Sequence, residues 1–200
     1  MKPLIIDVEG SRDGHVFNYD HKMFILGLFN GKDHWIFPIE WDQQPYGHYI
    51  QQAQEIIDSH DLLIAFNIKH DLLWLRRYGI KTQNKNLWCL QYAEYCLSGQ
   101  KWCMPDLDTA CKNRSLPGKT HNIKENYWNK GKEINEAPWE EAEAYNKNDL
   151  EIEFNLFESQ RESLKTSPKI KRLIWEGSQD IGITAEMEWN GIKYDTNLSL

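Results

Sequence analysis

Asp7 and Glu9 sit two apart at the end of an apolar stretch, Leu4 to Val8, that stops at Gly10. The stretch is β-branched and apolar enough for a buried central strand. Side chains two apart in a strand leave the same face of the sheet, so the two carboxylates converge on one point. There they repel unless something positive lies between them, and a divalent cation bound through oxygen ligands is the usual solution. Alone, the pattern is equally open to a plainer reading, a polar strand end facing water. It recurs at Asp149-Leu150-Glu151 with no evident meaning.

A second group is Asn67 and Asp71, and a third is Tyr145 and Asp149. Asp71 opens the helix expected over Leu72 to Tyr78, where an acid is favoured by the helix dipole and lies near the carboxyl ends of parallel strands. Taken singly, Asp71 also reads as an ordinary first-turn residue and Asn67 as a cap. Tyr145 and Asp149, four apart, share one helical face. That face, with Ala142, Ile152 and Leu156, points inward, and an inward acid needs a partner, which a metal shared with Asp7 and Glu9 supplies. An amphipathic surface helix with ordinary polar residues is the plainer reading.

The elements that must hold these groups follow from periodicity and turn signals. Met23 to Phe29 and His34 to Pro38 are apolar runs joined through Asn30-Gly31, a hairpin signal; with the first strand they make a three-stranded antiparallel start. Tyr49 to Ser59 carries Ile50, Ala53, Ile56 and Ile57 at helical spacing, and Leu62 to Phe66 is a second buried strand. The crossover rule lays it parallel to the first. Leu87 to Leu97 reads as a buried segment passing into a helix that Ser98-Gly99 ends. Met104-Pro-Asp-Leu-Asp108 opens another short helix, and a longer one runs from Ala137-Pro138-Trp139 to about Ser159. Residues 112 to 132 hold Lys112, Arg114, Lys119, His121, Lys124, Lys130 and Lys132, the most basic stretch of the chain, read either as phosphate contacts or as a solvated loop.

With 200 residues and 40% hydrophobic content, the chain can bury one substantial core. Its four cysteines lack the spacing of a zinc knuckle or redox pair and read as reduced, cytosolic and structural. The histidines are scattered, so a metal should be hard and oxygen-bound. No apolar run is long enough to span a bilayer, so no membrane partner is expected. The net charge of −7 argues against binding nucleic acid by overall basicity, yet it does not exclude a nuclease, which gathers acids at its centre. The nine tryptophans offer faces on which bases can stack, although packing accounts for most of them.

Taken in order, Asp7 and Glu9, then Asn67 and Asp71, then Tyr145 and Asp149 resemble the three motifs of the DEDD superfamily of 3′-to-5′ exonucleases in its tyrosine-bearing branch. The resemblance is closest to the proofreading domain of family A DNA polymerases, especially phage versions. Asn67-Ile-Lys-His-Asp71-Leu-Leu-Trp-Leu, the Met104-Pro-Asp-Leu-Asp108 stretch with its Leu116-Pro-Gly-Lys119 turn, and Glu186-Met-Glu-Trp-Asn-Gly-Ile-Lys-Tyr-Asp195 all look like that family. It implies an α/β fold, a ribonuclease H-like mixed sheet flanked by helices, over residues 1–179. Residues 180–200 then read as a stub toward a polymerase thumb region, and polymerisation is not expected. Gly10 stands where a threonine often follows the acids, and His70 where an aromatic often precedes the second-motif aspartate; with Asn67 they fall where the terminal nucleotide is gripped.

The activity the resemblance implies is two-metal hydrolysis of single-stranded or frayed DNA 3′ ends, with Mg²⁺ or Mn²⁺ as the two ions. Asp7 would bridge both ions, Glu9 and Asp149 would complete the first site, Asp71 would hold the second, and Tyr145 would orient the attacking water. The expected partners are single-stranded DNA or a primer 3′ terminus and a separate or fused polymerase chain. The expected location is the cytoplasm, that of the host if the protein is phage-encoded. Two alternatives stand beside this reading: a catalytically silent docking domain of a polymerase, and an RNA-trimming exonuclease of the same superfamily, since discrimination by the 2′-hydroxyl is not legible in sequence.

Overall fold

The computed structural model describes residues 1–12, 14–42, 44–101, 104–119 and 123–193. Its centre is a five-stranded sheet in the order β3-β2-β1-β4-β5. The strands are β1 (Pro3–Gly10), β2 (Met23–Phe29), β3 (His34–Pro38), β4 (Leu62–Ala65) and β5 (Asn86–Cys89). The hairpin expected through Asn30-Gly31 is present, β2 pairing antiparallel to both β1 and β3, while β4 runs parallel to β1 and β5 parallel to β4. The mixed α/β class expected from the sequence is therefore what the chain adopts.

Alternation along β1 divides the interior. Leu4, Ile6 and Val8 face one core, shared with α1 (Gly47–Asp58) and α2 (Ile68–Arg77). Ile5 faces a second, shared with α3 (Leu90–Leu97), α4 (Leu107–Asn113) and α6 (Trp139–Ser163). Asp7 and Glu9 continue the Ile5 side and so project toward α6. A third, smaller cluster joins Phe24, Ile25 and Trp41 to Ile123 in α5 (Ile123–Asn126), Ile134, Ala137 and Tyr145. Two short 3-10 turns between α5 and α6, which no periodicity in the sequence announces, form the wall beneath Tyr145.

The last helix, α7 (Pro168–Asn190), runs unbroken through the boundary expected at residue 179. It covers the open edge of β5, where side chains take up the free backbone groups of an edge strand. Leu87 N–H donates to Gln179 Oε1 at 3.2 Å, Gln179 Nε2 donates to the Leu87 carbonyl at 2.9 Å, and Cys89 N–H donates to Ser178 Oγ at 3.1 Å. Beyond that point Ala185 is buried in the first core, with Ile181 and Trp189 packed against it. Two glycines in α7 look like breakers in sequence, but a Cβ at Gly177 would strike the Tyr92 ring and one at Gly182 the Leu87 side chain. They permit close approach of the helix. Cys89, Cys96 and Cys111 are buried and free, while Cys103, His121 and the end of the expected stub from residue 194 lie outside the described residues. No helix among the described residues is long and apolar enough to cross a membrane.

Candidate active site

The three motifs meet at the carboxyl end of β1. Carboxylate oxygens of Asp7, Glu9 and Asp149 all lie within 4.8 Å of one another. Glu9 and Asp149 are buried and Asp7 is partly exposed. Asp71, in the first turn of α2, approaches from the other side: its Oδ1 accepts a hydrogen bond from the Val8 N–H at 3.2 Å. It stands outside the tight trio but within the field of Asp7. Tyr145 lies one turn before Asp149 on α6, buried, with its hydroxyl hydrogen-bonded to the Asp149 carboxylate.

The electrostatics are unfavourable by construction. Burial is the main cause that pushes Asp7, Glu9, Asp71 and Asp149 above the usual carboxylate range. Asp149 further raises Asp7, and Asp7 further raises Glu9 and Asp71. Burial and then the charges of Glu9, Asp149 and Asp7 hold the Tyr145 phenol far above its ordinary value, so it remains protonated. Such shifts cluster where a cation or a reaction is to be accommodated.

Asn67 and His70 are exposed on the rim at the start of α2. The Asn67 side chain makes no capping hydrogen bond, although the residue occupies the N-cap position. The His70 ring meets Trp74 edge-on at 6.3 Å. Gly10 follows a register shift in the β1–β2 pairing. A Cβ there would lie 3.2 Å from both the Lys22 carbonyl oxygen and the Trp74 ring, so Trp74 occupies the volume that a threonine would need.

Three residues outside the sequence motifs also belong to the site. Lys119, in sequence a member of the basic stretch and the last residue of the Leu116-Pro-Gly-Lys119 turn, donates from Nζ to Asp149 Oδ2 and, at 2.9 Å, to the Tyr145 hydroxyl. Burial alone would pull its pKa down, but Asp149 and Glu9 raise it, so it stays an ammonium. Asn146, fully buried, donates from Nδ2 to Asp7 Oδ2 at 2.7 Å. Glu153, one turn past Asp149 and 2% exposed, is pushed well above the carboxylate range by burial and then by Asp7. The available signal for Glu153 is its helical spacing from Asp149, and for Lys119 its place in the basic stretch and in the Leu116-Pro-Gly-Lys119 turn, neither of which points to Asp149; Asn146 has none, since it depends on a contact remote in sequence.

The set fits a hard divalent cation. All the donors are oxygen, the charge is strongly negative, and buried Asp149 Oδ1 has no hydrogen-bond partner among the described residues. The cation that reaches the group from within, among the described residues, is Lys119. A mixed five-stranded sheet of this order, flanked by helices and carrying acids from the end of β1, from the start of α2 and from α6, is the ribonuclease H-like arrangement expected from the sequence.

Comparison with solved structures finds the same fold in other proteins. Brucella melitensis NrnC bound to pGG superposes with a TM-score of 0.66 at 13% identity, over 98% of this chain and 89% of that one. NrnC with bound Mg²⁺ gives the same TM-score and identity, over 98% of this chain and 90% of that one. A family B DNA polymerase from the archaeon Pyrobaculum calidifontis matches with a TM-score of 0.56 at 10% identity, over 81% of this chain but 24% of the polymerase. The sequence matches no family model and no curated protein. These likenesses show the fold; they do not single out the family A proofreading domain that the motifs resemble.

Proposed function

We propose that the protein is a metal-dependent 3′-to-5′ exonuclease that removes mononucleotides from single-stranded ends, with short RNA among its substrates. The observation that carries the reading is the convergence of Asp7, Glu9 and Asp149 within 4.8 Å, with Asp71 and Tyr145 beside them. Asp7, Glu9 and Asp149 would hold one cation, and Asp7 with Asp71 a second. Two bound divalent cations would supply an activated water and charge stabilisation for the attacking and leaving oxygens.

The chain's own residues do the rest. Tyr145 keeps its proton and orients the attacking water by donating or accepting through the hydroxyl that now meets Asp149 and Lys119. It does not act as the base. Lys119, its side chain 28% exposed on the loop before α5, can turn its ammonium from Asp149 toward a substrate phosphate, the phosphate-contacting role that the basic stretch suggests. Asn67 and His70, exposed at the rim, are placed to meet the terminal nucleotide.

RNA enters the reading because NrnC, similar over nearly the full length of both chains, has been captured with pGG. Proofreading within a family A DNA polymerase is the second reading, favoured by the Asn67–Leu75 and Glu186–Asp195 resemblances. Matched DNA and RNA oligonucleotides of one sequence, labelled at the 5′ end and ranging from dinucleotides upward, separate the two. The expected result is stepwise 3′ shortening in Mg²⁺ or Mn²⁺, stopped by EDTA, with RNA dinucleotides consumed. Exclusive cleavage of DNA would favour proofreading, and absence of metal-dependent shortening of either would overturn the proposal.

A further inference from the structure

Asp7 is held by a device that involves neither its neighbours in β1 nor the other acids. Directly across the antiparallel pairing from Asp7 stands Gly27 of β2. Every other residue of β2 carries a side chain, and the gap at Gly27 is filled from α6. A Cβ at Gly27 would collide with Asn146 Oδ1 and press within 2.9 Å of both Asn146 Cγ and Leu150 Cδ1. The helix thus settles on the sheet at the one β2 position without a side chain, and Asn146, fully buried, reaches through to Asp7 Oδ2 at 2.7 Å. The Asn146 Oδ1 atom has no hydrogen-bond partner among the described residues. That costs free energy and is unexplained if Asn146 is only a packing residue.

We propose that Gly27 and Asn146 form a positioning pair that fixes the orientation of the Asp7 carboxylate for metal binding, Asn146 as the donor and Gly27 as the space it needs. The inference rests on the metal-nuclease reading and deepens it. A neutral donor suits this role because it restricts the carboxylate without cancelling the charge a cation requires, as a lysine would, and without adding to the crowd of acids, as an aspartate would. Groups that orient metal ligands typically change metal affinity or activity by roughly 10- to 100-fold when removed.

The test uses the full chain stripped of metal, with Mn²⁺ binding followed by calorimetry and hydrolysis measured separately. Wild type should bind Mn²⁺ and Asp7→Ala should not; failure of wild type to bind would overturn the metal-nuclease reading itself. Asn146→Ala should weaken Mn²⁺ binding roughly 10- to 100-fold and lower kcat, with the oligonucleotide KM unchanged. Gly27→Ala should do the same and also lower Tm, because it forces Asn146 away. Combining Gly27→Ala with Asn146→Ala should recover most of the Tm loss, since the contact that remains is with the end of the Leu150 side chain, which can shift, while Mn²⁺ binding stays weak. A purely structural pair would recover both together, and that result, or wild-type Mn²⁺ affinity in Asn146→Ala, would overturn the inference. Should Asn146→Ala fail to fold, Asn146→Ser is read on the same two measurements, with the same expected split.

Discussion

Helix α6 carries two sets of buried polar groups, one near its C-terminal end and one at its middle, and the two treat charge differently. Toward its C-terminus, Gln160 donates from Nε2 to Glu94 Oε1 at 2.8 Å and accepts from Trp88 Nε1 at 2.9 Å. Arg114 meets the same Glu94 oxygen at 2.5 Å and also reaches Ser159 and Ser163. There one fully buried acid has one guanidinium. Toward the middle of the helix Asp149 and Glu153 join Asp7, Glu9 and Asp71, and Lys119 is the cation that reaches them among the described residues. Both leave carboxylate oxygens without a hydrogen-bond partner among the described residues, Glu94 Oε2 in the one and Asp149 Oδ1 and Glu153 Oε2 in the other, so the presence of orphaned atoms alone does not tell them apart. The balance of charge does. Paired burial stabilises an architecture, whereas an unbalanced cluster persists because the surrounding fold holds it in place for a ligand.

The largest effects should come from the unbalanced set. Asp7→Asn and Asp149→Asn keep the shape of the side chains and remove a charge. Each should nearly abolish hydrolysis, yet the metal-free protein should melt no lower than wild type at neutral pH, because a repelling carboxylate is gone. Substantial cleavage by either variant, or a marked fall in Tm, would erase the contrast between the two sets. Tyr145→Phe comes next. Loss of a hydroxyl that orients water should slow single-turnover hydrolysis within the roughly 10²- to 10⁴-fold range of positioned proton-handling groups, with Mn²⁺ affinity retained; an unchanged rate would make the phenol a packing group.

The balanced set should answer in stability instead. Arg114→Met leaves Glu94, 0% exposed, without its cation, and removing one partner of a buried pair costs about 3–5 kcal/mol. Urea denaturation should show that loss while Mn²⁺ binding to the folded variant stays at wild-type strength. A variant that lost metal affinity at full stability would place Arg114 with the active site and break the comparison.

How much of this is legible in the sequence depends on the range of the interaction. The three-stranded antiparallel start with its Asn30-Gly31 hairpin, the crossover to a parallel β4 and the acid at the start of α2 all follow from local pattern and short-range topology, whereas β5, four residues that read as a buried segment passing into a helix, does not. So does the convergence of Asp7, Glu9, Asp71, Tyr145 and Asp149, because each lies at a strand end or on a helical face. Asn146 is hidden because it acts through Gly27, a glycine whose reason is the approach of a helix more than a hundred residues later. Lys119 is hidden because a lysine-rich loop reads as solvated until its partner is known. The break expected near residue 179 comes from the resemblance beyond it; Ser178 and Gln179 instead serve β5 through bonds that span about ninety residues.

The smallest effect expected is also the one that separates the two sets without mutation. Asp7, Glu9, Asp71, Asp149 and Glu153 all have folded pKa values above the 3.8 or 4.5 of free carboxyls. Folding therefore favours their protonated forms. The stability they contribute is fully present below the unfolded pKa values and is lost as pH rises through the folded ones. Lys119, with its pKa raised by the same acids, remains charged across this range and does not reverse the sign. In EDTA, Tm should fall between about pH 6 and pH 8, a gradual change that differential scanning calorimetry resolves. Added Mg²⁺ should raise Tm more at the alkaline end, since metal binds carboxylates only after their protons leave. In Asp7→Asn the slope should be shallower. A flat or rising Tm in EDTA across that interval would mean that the acids at the end of β1 are already compensated, and the distinction between the two sets on α6 would fall with it.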